Sequence, residues 1–251
     1  MKISIITICF NSEATIEKTI QSVLSQTYPH VEYIVIDGGS TDGTIGIINK
    51  YAKDITAFVS EKDRGIYDAM NKGIERSTGD VIGILNSDDF YADDQVLSDV
   101  MNVFLSNPPL ESLYADLIYV DRIDESKVIR YWKSGDYKKG LFLKGWMPPH
   151  PGFFVRKNVY DRFGTYNLNL RSSADYEFML RVLHKYNIST YYLPRVITKM
   201  RVGGQSNVSL KNRIRANRED RMAWKINGLQ LRPFTLILKP LSKLKQWKLR
   251  S

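Results

Sequence analysis

The sequence predicts an α/β fold in which helices cover both faces of a mostly parallel central sheet. Two observations carry this prediction: short apolar runs alternate with helical segments over the first 110 residues, and 43% of the 251 residues are hydrophobic. Repeated strand–helix units of this length imply parallel strands, because each helix returns the chain to the same end of the sheet. This composition supplies a core for one domain and excludes disorder or a coiled coil as the overall class.

Each element of the first half follows from its local pattern. Ile16, Ile20, Val23 and Leu24 lie at i, i+4, i+7 and i+8, which is the spacing of one helix face. They predict a helix over residues 13–27. The remaining predictions are strands over 3–10, 31–36, 55–59 and 80–85, and helices over 44–52, 65–77 and about 96–104.

After residue 110 the alternation changes. We predict strands over 113–120 and 127–132, a stiff segment with three prolines over 147–152, a short strand over 153–156 and a helix over 175–185. We therefore divide the chain into residues 1–110, residues 111–205 as the second half of the same domain, and a basic helical tail over 206–251.

Charge and cysteine content limit the classes of function. Residues 1–200 carry 23 Lys or Arg and 25 Asp or Glu, whereas residues 201–251 carry 13 and 2. A partner of opposite charge is therefore expected to bind the tail. Cys9 is the only cysteine, which excludes a disulfide framework and suits a reducing compartment. Because no apolar run reaches the length of a membrane span, we expect a cytoplasmic protein.

Two polar clusters follow predicted strands, at residues 37–42 and 87–89. Ligands of open parallel sheets bind beyond the carboxyl ends of the strands, so both clusters are candidate sites. Asp88 and Asp89 repel each other unless a cation or polar ligand lies beside them. The alternative is an Asp-rich turn that caps the next helix. A P-loop is excluded because Thr44 stands where its lysine must be.

Four motifs occur in a recognisable order. They are the run 3–11, the strand ending in Asp37-Gly38-Gly39-Ser40-Thr41-Asp42-Gly43, the run 63–73 and Asn86-Ser87-Asp88-Asp89. Together they resemble glycosyltransferase family 2 over about residues 1–205, and most closely its bacterial enzymes of surface-polysaccharide assembly. The resemblance implies the GT-A fold of nucleotide-diphospho-sugar transferases, with a nucleotide-sugar-binding first half and an acceptor and catalytic second half.

The resemblance also implies roles for five residues of the first half. Asp37 would accept a hydrogen bond from the nucleotide base, and Phe10 would border the base and ribose. Asp88 would contact the ribose, Asp89 would bind Mn²⁺ or Mg²⁺, and Asp68 would line the donor pocket. The cation would neutralise charge on the leaving diphosphate. The alternatives are that Asp37 caps a glycine turn and that Asp68 caps or decorates its helix.

The second half must supply a base. Ala174-Asp175-Tyr176-Glu177 resembles the family motif with the catalytic aspartate, although many relatives have Glu where Ala174 stands. Asp175 would deprotonate an acceptor hydroxyl. The alternative is an aspartate that the helix dipole favours in a first turn. Glu177 lies about 200° around the helix from Asp175, so we predict that it pairs with Arg181 at the surface.

His150 and Arg201 are further candidates from the resemblance. His150, between two prolines, is expected on the acceptor or diphosphate side, with a structural histidine as the alternative. Arg201 opens a run, residues 201–206, that resembles the family's mobile loop and would let its guanidinium reach phosphate. The alternative there is an ordinary glycine-rich connection.

The prediction is thus an inverting, metal-dependent hexosyl- or N-acetylhexosaminyltransferase that moves a sugar from a nucleotide-diphospho-sugar, in particular a UDP-sugar, to a glycan or lipid-linked acceptor. One rival is a sugar nucleotidyltransferase, which would need a glycine-rich basic N-terminal loop. The other is a nucleic-acid-binding protein, but no recognition module accompanies the basic tail, so no nucleic-acid partner is expected.

The end of the tail carries a separate prediction. Residues 229–251 contain six Lys or Arg and no acid among apolar side chains. Such a segment is expected to bind anionic lipid, peripherally on the inner face of a membrane. The alternative is a helix that packs on the body and exposes a basic face.

Overall fold

A nine-stranded sheet forms the centre of the computed structural model, which describes residues 1–203, 210–231 and 235. The strands are, in chain order, β1 (Ile3–Cys9), β2 (Val31–Asp37), β3 (Ala57–Ser60), β4 (Val81–Asn86), β5 (Asp89–Tyr91), β6 (Ser112–Val120), β7 (Val128–Trp132), β8 (Phe153–Arg156) and β9 (Thr190–Arg201). In space their order is β3-β2-β1-β4-β8-β6-β9-β5, and β7 pairs with β6.

Strands β1 to β4 form the parallel half of the sheet. β1 lies between β2 and β4 and pairs in parallel with both, while β3 extends the edge beside β2. Isoleucine and valine fill these strands because β-branched side chains pack well on a pleated, buried surface. The register places Cys9 opposite Asp37 and Ile8 opposite Asn86. The carboxyl ends of three strands therefore meet at one edge.

The other half of the sheet is mixed. β8 is antiparallel to both β4 and β6, β9 is parallel to β6, and the short β5 is antiparallel to β9. The sequence analysis missed β5 and β9. β5 has only three residues, and β9 contains Pro194 and shifts register near Asp116, so neither shows the regular alternation of a strand.

Helices cover both faces, as predicted. Their bounds are α1 (Ile16–Leu24), α2 (Thr44–Lys50), α3 (Ile66–Arg76), α4 (Val96–Ser106), α5 (Lys157–Phe163), α6 (Ala174–Met179) and α7 (Leu210–Ile226). α1, α2 and α4 bury apolar side chains in a cluster on one face of the sheet. α3, α5, α6 and α7 contribute to the cluster on the other face. The predicted α/β class is confirmed.

Helix α6 joins the sheet to the first part of the tail. It continues into a wider turn of π type, Leu180–Lys185. The hydroxyl of Ser173 does not cap α6 but donates to the carbonyl oxygen of Ala216 in α7, at 3.3 Å. The buried Trp224 of α7 donates its indole N–H to the Tyr176 hydroxyl at 2.9 Å. The early tail therefore packs on the domain.

The position of Glu177 differs from the prediction. Its carboxylate accepts a hydrogen bond from the Arg181 guanidinium at 3.0 Å, as expected, but Glu177 is only 2% exposed. The side-chain amide of Asn227, just after α7, donates to its other oxygen at 2.9 Å. The error arose because α7 covers this face of α6, which spacing within α6 does not reveal.

Within the described chain, no helix combines the length and apolarity needed to span a membrane.

Two predictions extend beyond the described residues. Residues 204–206 of the predicted loop, and most of the basic segment 229–251, lie outside that part of the chain. In the segment, Leu229 and Leu231 pack against the apolar cluster, and the Thr235 hydroxyl donates to the carbonyl oxygen of Leu143 at 2.8 Å.

Candidate active site

The candidate site lies at the carboxyl ends of β1, β2 and β4. Helix α1 stabilises the turn after β4 by hydrogen bonding. The Thr19 hydroxyl of α1 lies 2.9 Å from the carbonyl oxygen of Ser87 and 2.7 Å from that of Asp89. The hydroxyls of Ser12 and Ser87 lie 2.8 Å apart and join the segment after β1 to the same turn. Buried hydrogen bonds thus hold the backbone beneath the candidate aspartates.

Asp37 is fully buried and organises the turn after β2. Its carboxylate accepts hydrogen bonds from the backbone N–H groups of Gly39 at 3.0 Å and Ser40 at 2.9 Å. The hydroxyls of Ser40 and Ser60 and the thiol of Cys9 also donate to it. Burial acts to raise the pKa of Asp37, but these hydrogen bonds outweigh burial and hold the pKa below its usual value. Asp37 is an ionised carboxylate with both oxygens engaged.

Phe10 and Asp63 both lie close to this turn at Gly38. Phe10 is 54% exposed, although it follows a fully buried strand. A Cβ atom at Gly38 would lie 2.5 Å from Asp63 Oδ2 and 3.5 Å from Phe10 Cδ2. Glycine therefore lets the Asp63 carboxylate approach the backbone of the turn. Sequence analysis assigned no role to Asp63; the glycine pair after Asp37 was the available signal for this close approach.

The Asp68 carboxylate pairs with the Arg64 side chain at the start of α3. It accepts hydrogen bonds from Arg64, from Nη2 at 2.9 Å and from the backbone N–H at 3.1 Å, and Lys72 Nζ lies 3.5 Å away. Burial opposes ionisation slightly, but Arg64 and Lys72 lower the pKa of Asp68. The Arg64 guanidinium stays exposed to solvent. Asp68 therefore orients the solvent-exposed side chain of Arg64, for which the sequence analysis predicted no role.

Asp88 and Asp89 form the other half of this edge. Asp89 is 1% exposed, and its Oδ2 accepts a hydrogen bond from the Asn86 side-chain amide at 2.9 Å. Its Oδ1 and Asn86 Oδ1 are buried, and neither has a hydrogen-bond partner among the described residues. Burial raises the pKa of Asp89 well above its usual range, and the Asp88 charge adds to this effect. Burial likewise raises the pKa of Asp88.

These two carboxylates fit a divalent cation. Unpaired buried oxygens are costly, and an oxygen-binding cation beside them removes that cost. Among residues 1–203, 210–231 and 235, no group of three or more His, Cys, Asp or Glu side chains is arranged to hold a metal. A cation at Asp89 would therefore rely on non-protein oxygens as well, which is how Mg²⁺ and Mn²⁺ are commonly held beside phosphates.

Arg201 lies beside the aspartate pair. It is the last residue of β9 and is buried, whereas the sequence analysis grouped it with a mobile loop. Its Nη1 donates to the carbonyl oxygen of Asp88 at 2.7 Å, its Nε donates to Glu125 Oε1 at 3.1 Å, and its guanidinium lies 4.8 Å from the Phe90 ring centre. Its charge counteracts the raised pKa values of Asp88 and Asp89.

Asp175 occupies the first turn of α6 and is half-buried. Its Oδ1 accepts a hydrogen bond from the Tyr67 hydroxyl of α3 at 2.9 Å. His150 lies in the same neighbourhood, because the Asp175 charge acts on its ring. His150 Nε2 is 2.9 Å from the Tyr166 hydroxyl. Burial lowers the pKa of His150 and the Asp175 charge opposes that, so the imidazole is neutral at pH 7.

The predicted residues thus fall into three groups. Phe10 and Asp37 meet at the turn after β2, Asp88, Asp89 and Arg201 meet after β4, and His150 and Asp175 meet in the second half. Asp68 pairs with the exposed Arg64. The site thus contains the ionised Asp37, the neighbouring carboxyl groups of Asp88 and Asp89, and the half-buried Asp175. This set suits binding of a diphosphate ester with a cation and removal of a proton.

Comparison with solved structures defines the class. The chain superposes on S. aureus TarS 1–349 in complex with UDP-GlcNAc with a TM-score of 0.69 at 17% identity, over 90% of this chain and 65% of that one. It superposes on the mannosyltransferase PcManGT from Pyrobaculum calidifontis, in complex with GDP-Man and Mn²⁺, with a TM-score of 0.67 at 20% identity, over 97% and 69%. The fold is that of the GT-A glycosyltransferases.

The sequence comparison then defines the family. The model of glycosyl transferase family 2 matches residues 4–175, and the chain belongs to that family. A PGL/p-HBAD biosynthesis glycosyltransferase of Mycobacterium bovis is 31% identical over 208 residues, which are 81% of this chain and 78% of that protein. An uncharacterized glycosyltransferase of Haemophilus influenzae is 41% identical over 108 residues, 42% of this chain and 43% of that protein.

Proposed function

We propose that this family 2 glycosyltransferase moves a hexosyl or N-acetylhexosaminyl group from a UDP-sugar to a glycan or lipid-linked acceptor, with inversion at the anomeric carbon, in polysaccharide synthesis of the O-antigen type. The observation that carries the proposal is the buried Asp89, whose Oδ1 has no partner among the described residues. A nucleotide diphosphate with a divalent cation would supply what this oxygen lacks.

The donor would be held mainly by the first half of the chain. The exposed ring of Phe10 offers a surface against which a base can stack, beside the carboxylates of Asp37 and Asp63. Asp88 would accept hydrogen bonds from the ribose. The complexes of TarS with UDP-GlcNAc and of PcManGT with GDP-Man and Mn²⁺ support a nucleotide-sugar donor and a metal.

We expect charge complementarity to hold the diphosphate near three charged side chains and His150. Asp89 would hold Mn²⁺ or Mg²⁺, which when bound supplies Lewis-acid neutralisation of the leaving diphosphate. Arg64 is the exposed cation held by Asp68, and Arg201 offsets the acidic charge of Asp88 and Asp89. His150 would contact the acceptor or the diphosphate as a neutral donor or acceptor of a hydrogen bond.

Asp175 would act as the base. A sugar hydroxyl is a poor nucleophile at neutral pH, so its proton must pass to a carboxylate oxygen as the new bond forms. The acceptor oxygen then bonds to the anomeric carbon while the bond to the diphosphate breaks on the opposite face. The electron pair leaves with the nucleoside diphosphate, the proton remains on Asp175, and the configuration inverts in one step.

A thermal-shift experiment separates this proposal from its rivals. We expect UDP to raise the melting temperature only with Mn²⁺ or Mg²⁺ present, because a ligand that binds only the folded chain stabilises it. Duplex DNA is the control and is expected to produce no shift. Stabilisation by DNA alone would contradict the proposal in favour of nucleic-acid binding.

Asp175→Asn tests the base. The variant should bind UDP with metal as the wild-type protein does, while release of UDP from the best UDP-sugar falls at least about a hundredfold, the low end for loss of a general base. A screen of UDP- and GDP-sugars for metal-dependent release identifies the donor first. Unchanged release by Asp175→Asn would remove Asp175 from this role.

We further propose that the basic segment 229–251 holds the enzyme peripherally on anionic lipid at the cytoplasmic face of a membrane. Each basic residue near such a surface contributes about 1 kcal/mol, so six are sufficient for peripheral binding. Vesicles rich in phosphatidylserine, which carry a strong negative surface potential, should sediment the full chain at low salt and not a chain truncated after residue 228. Equal sedimentation of both chains would refute membrane binding by this segment.

A further inference from the structure

Tyr67 links the two halves of the candidate site. It lies in the second position of α3, in the first half of the chain, and its hydroxyl donates to Asp175 Oδ1 at 2.9 Å across 108 residues of sequence. We propose that Tyr67 is a positioning residue that orients the Asp175 carboxylate. This inference rests on the proposed role of Asp175 as the base.

The Tyr67 ring has little freedom to move. It is 8% exposed and packs against the Tyr166 ring, with a centroid distance of 5.7 Å and an interplanar angle of 33°. The start of α3 is itself held by neighbouring groups: the Gly65 N–H donates to Asp63 Oδ1 at 2.8 Å, and the Asp68 N–H donates to the Gly65 carbonyl at 2.9 Å. The hydroxyl is therefore delivered to a defined point.

The direction of the hydrogen bond is also defined. Burial raises the pKa of Tyr67 well above its usual value, and the Asp175 charge raises it further. The phenol thus keeps its proton, and the carboxylate is the acceptor. Within the part of the chain that the structure describes, no hydrogen bond reaches the other oxygen of Asp175, Oδ2. One oxygen is held and the second is available to a substrate proton.

Three titratable groups face the Asp175 carboxylate. They are Tyr67 from α3, His150 from the turn before β8 and Tyr166 from the segment before α6. His150 and Tyr166 are engaged with each other at 2.9 Å, and Asn71 holds the Tyr166 backbone through two hydrogen bonds of 2.9 Å. Tyr67 is consequently the group that contacts Asp175 itself.

Loss of this hydroxyl should slow catalysis without weakening donor binding. A hydrogen bond to an ionised group is worth about tenfold to a hundredfold in an equilibrium, so Tyr67→Phe should lower kcat by about that factor through loss of orientation. KM for the donor should stay unchanged, because the Tyr67 hydroxyl contacts Asp175 and not the residues proposed to hold the nucleotide.

The experiment compares Tyr67→Phe with Tyr33→Phe. Tyr33 is a buried tyrosine on the other face of the sheet, whose hydroxyl donates to Thr7 Oγ1 at 3.0 Å, so both variants lose one buried hydroxyl. UDP release from the best donor is measured over a range of donor concentrations, so that kcat and KM are obtained separately for each variant.

We expect kcat to fall in Tyr67→Phe only, with unchanged KM and unchanged affinity for UDP and metal. A KM that rises together with the loss of kcat, or the same loss of kcat in Tyr33→Phe, would overturn the inference. Tyr67→Met serves as a second variant without the hydroxyl if Tyr67→Phe melts below Tyr33→Phe. Full activity of Asp175→Asn would instead reject the proposed base, so the two failures are distinguishable.

Discussion

The turns after β2 and β4 lie at the same edge of the parallel half of the sheet, but the surroundings of their aspartates are opposite. Asp37 accepts hydrogen bonds from backbone, hydroxyl and thiol donors, and its pKa is held below the usual value. Asp89 has one hydrogen bond to its carboxylate, an unpartnered Oδ1 among the described atoms, and a pKa raised by burial. The hydrogen bonds of Asp37 are supplied by the protein, whereas one oxygen of Asp89 is left without a partner among the described atoms.

This contrast predicts different roles for the two carboxylates. A buried charge with many donors stabilises the fold, whereas one with too few donors destabilises the ligand-free state and gains from a cation. Both aspartates are in strand-end motifs, so motif position alone does not distinguish them. The same substitution, aspartate to asparagine, should therefore have different consequences at the two positions.

The largest expected effect on ligand binding is that of Asp89→Asn. Without the carboxylate, the metal-dependent affinity for UDP should fall at least about a hundredfold, which corresponds to about 2.7 kcal/mol. The free energy of unfolding of the ligand-free protein should stay the same or rise by about 1 kcal/mol, because a buried carboxyl group whose ionised form is destabilised by burial is replaced by a neutral amide. Calorimetric titration with UDP and Mn²⁺ measures the affinity, and chemical denaturation measures the free energy of unfolding. Wild-type affinity in the variant would rule out Asp89 as the metal ligand.

Asp37→Asn should show the reverse order of effects. An amide nitrogen cannot accept the hydrogen bonds that reach one oxygen of Asp37, so the free energy of unfolding should fall by about 3 kcal/mol. Urea denaturation of this variant and of Asp89→Asn side by side gives the comparison directly. Equal stability losses in the two variants would contradict the distinction drawn between the turns.

Acid should reduce the stability difference at Asp37. Because the folded pKa is lowered, the carboxylate contributes its full stability above the unfolded pKa and loses it as pH falls through the folded value. The gap in melting temperature between wild type and Asp37→Asn should thus be constant near neutral pH and shrink below about pH 4. A gap that does not change with pH would mean that shape, and not charge, determines the role of Asp37.

The smallest effect is expected at the glycine beside Asp63. In Gly38→Ala the new methyl group would lie 2.5 Å from Asp63 Oδ2, so that carboxylate must move away from the turn beside Phe10. We expect UDP affinity to fall about tenfold, or about 1.4 kcal/mol. The matched control is Gly46→Ala in α2, where a Cβ meets nothing within 4 Å. That control should stabilise the fold by about 0.5–1 kcal/mol and leave UDP affinity unchanged.

Local sequence was informative wherever the chemistry depends on neighbours in the chain. The parallel strands, the helix faces and the glycine turn after Asp37 follow from period and residue type. The predicted members of the site also fall at element ends, where β2 ends at Asp37 and α6 begins at Ala174. Whether Asp37, Asp68 and Asp175 take the roles implied for them stays a prediction.

Contacts between distant segments were not accessible in this way. The burial of Glu177 depends on α7, the position of Arg201 depends on β9 pairing with β5 and β6, and the approach of Asp63 to the turn after β2 depends on the space at Gly38. Each arises from segments far apart in sequence. A single sequence carries no periodicity that reports such packing.

The sequence by itself determined the α/β class, the sites at which the strands end and the family to which the chain belongs, because these depend on side-chain period and on short, ordered motifs. Only the tertiary structure decided which aspartate is saturated with donors, which retains an unpartnered buried oxygen among the described atoms, and which receives the Tyr67 hydroxyl. The physical reason is that burial and hydrogen-bond supply are properties of the folded surroundings, and those surroundings set the charge state and the free energy of each carboxylate.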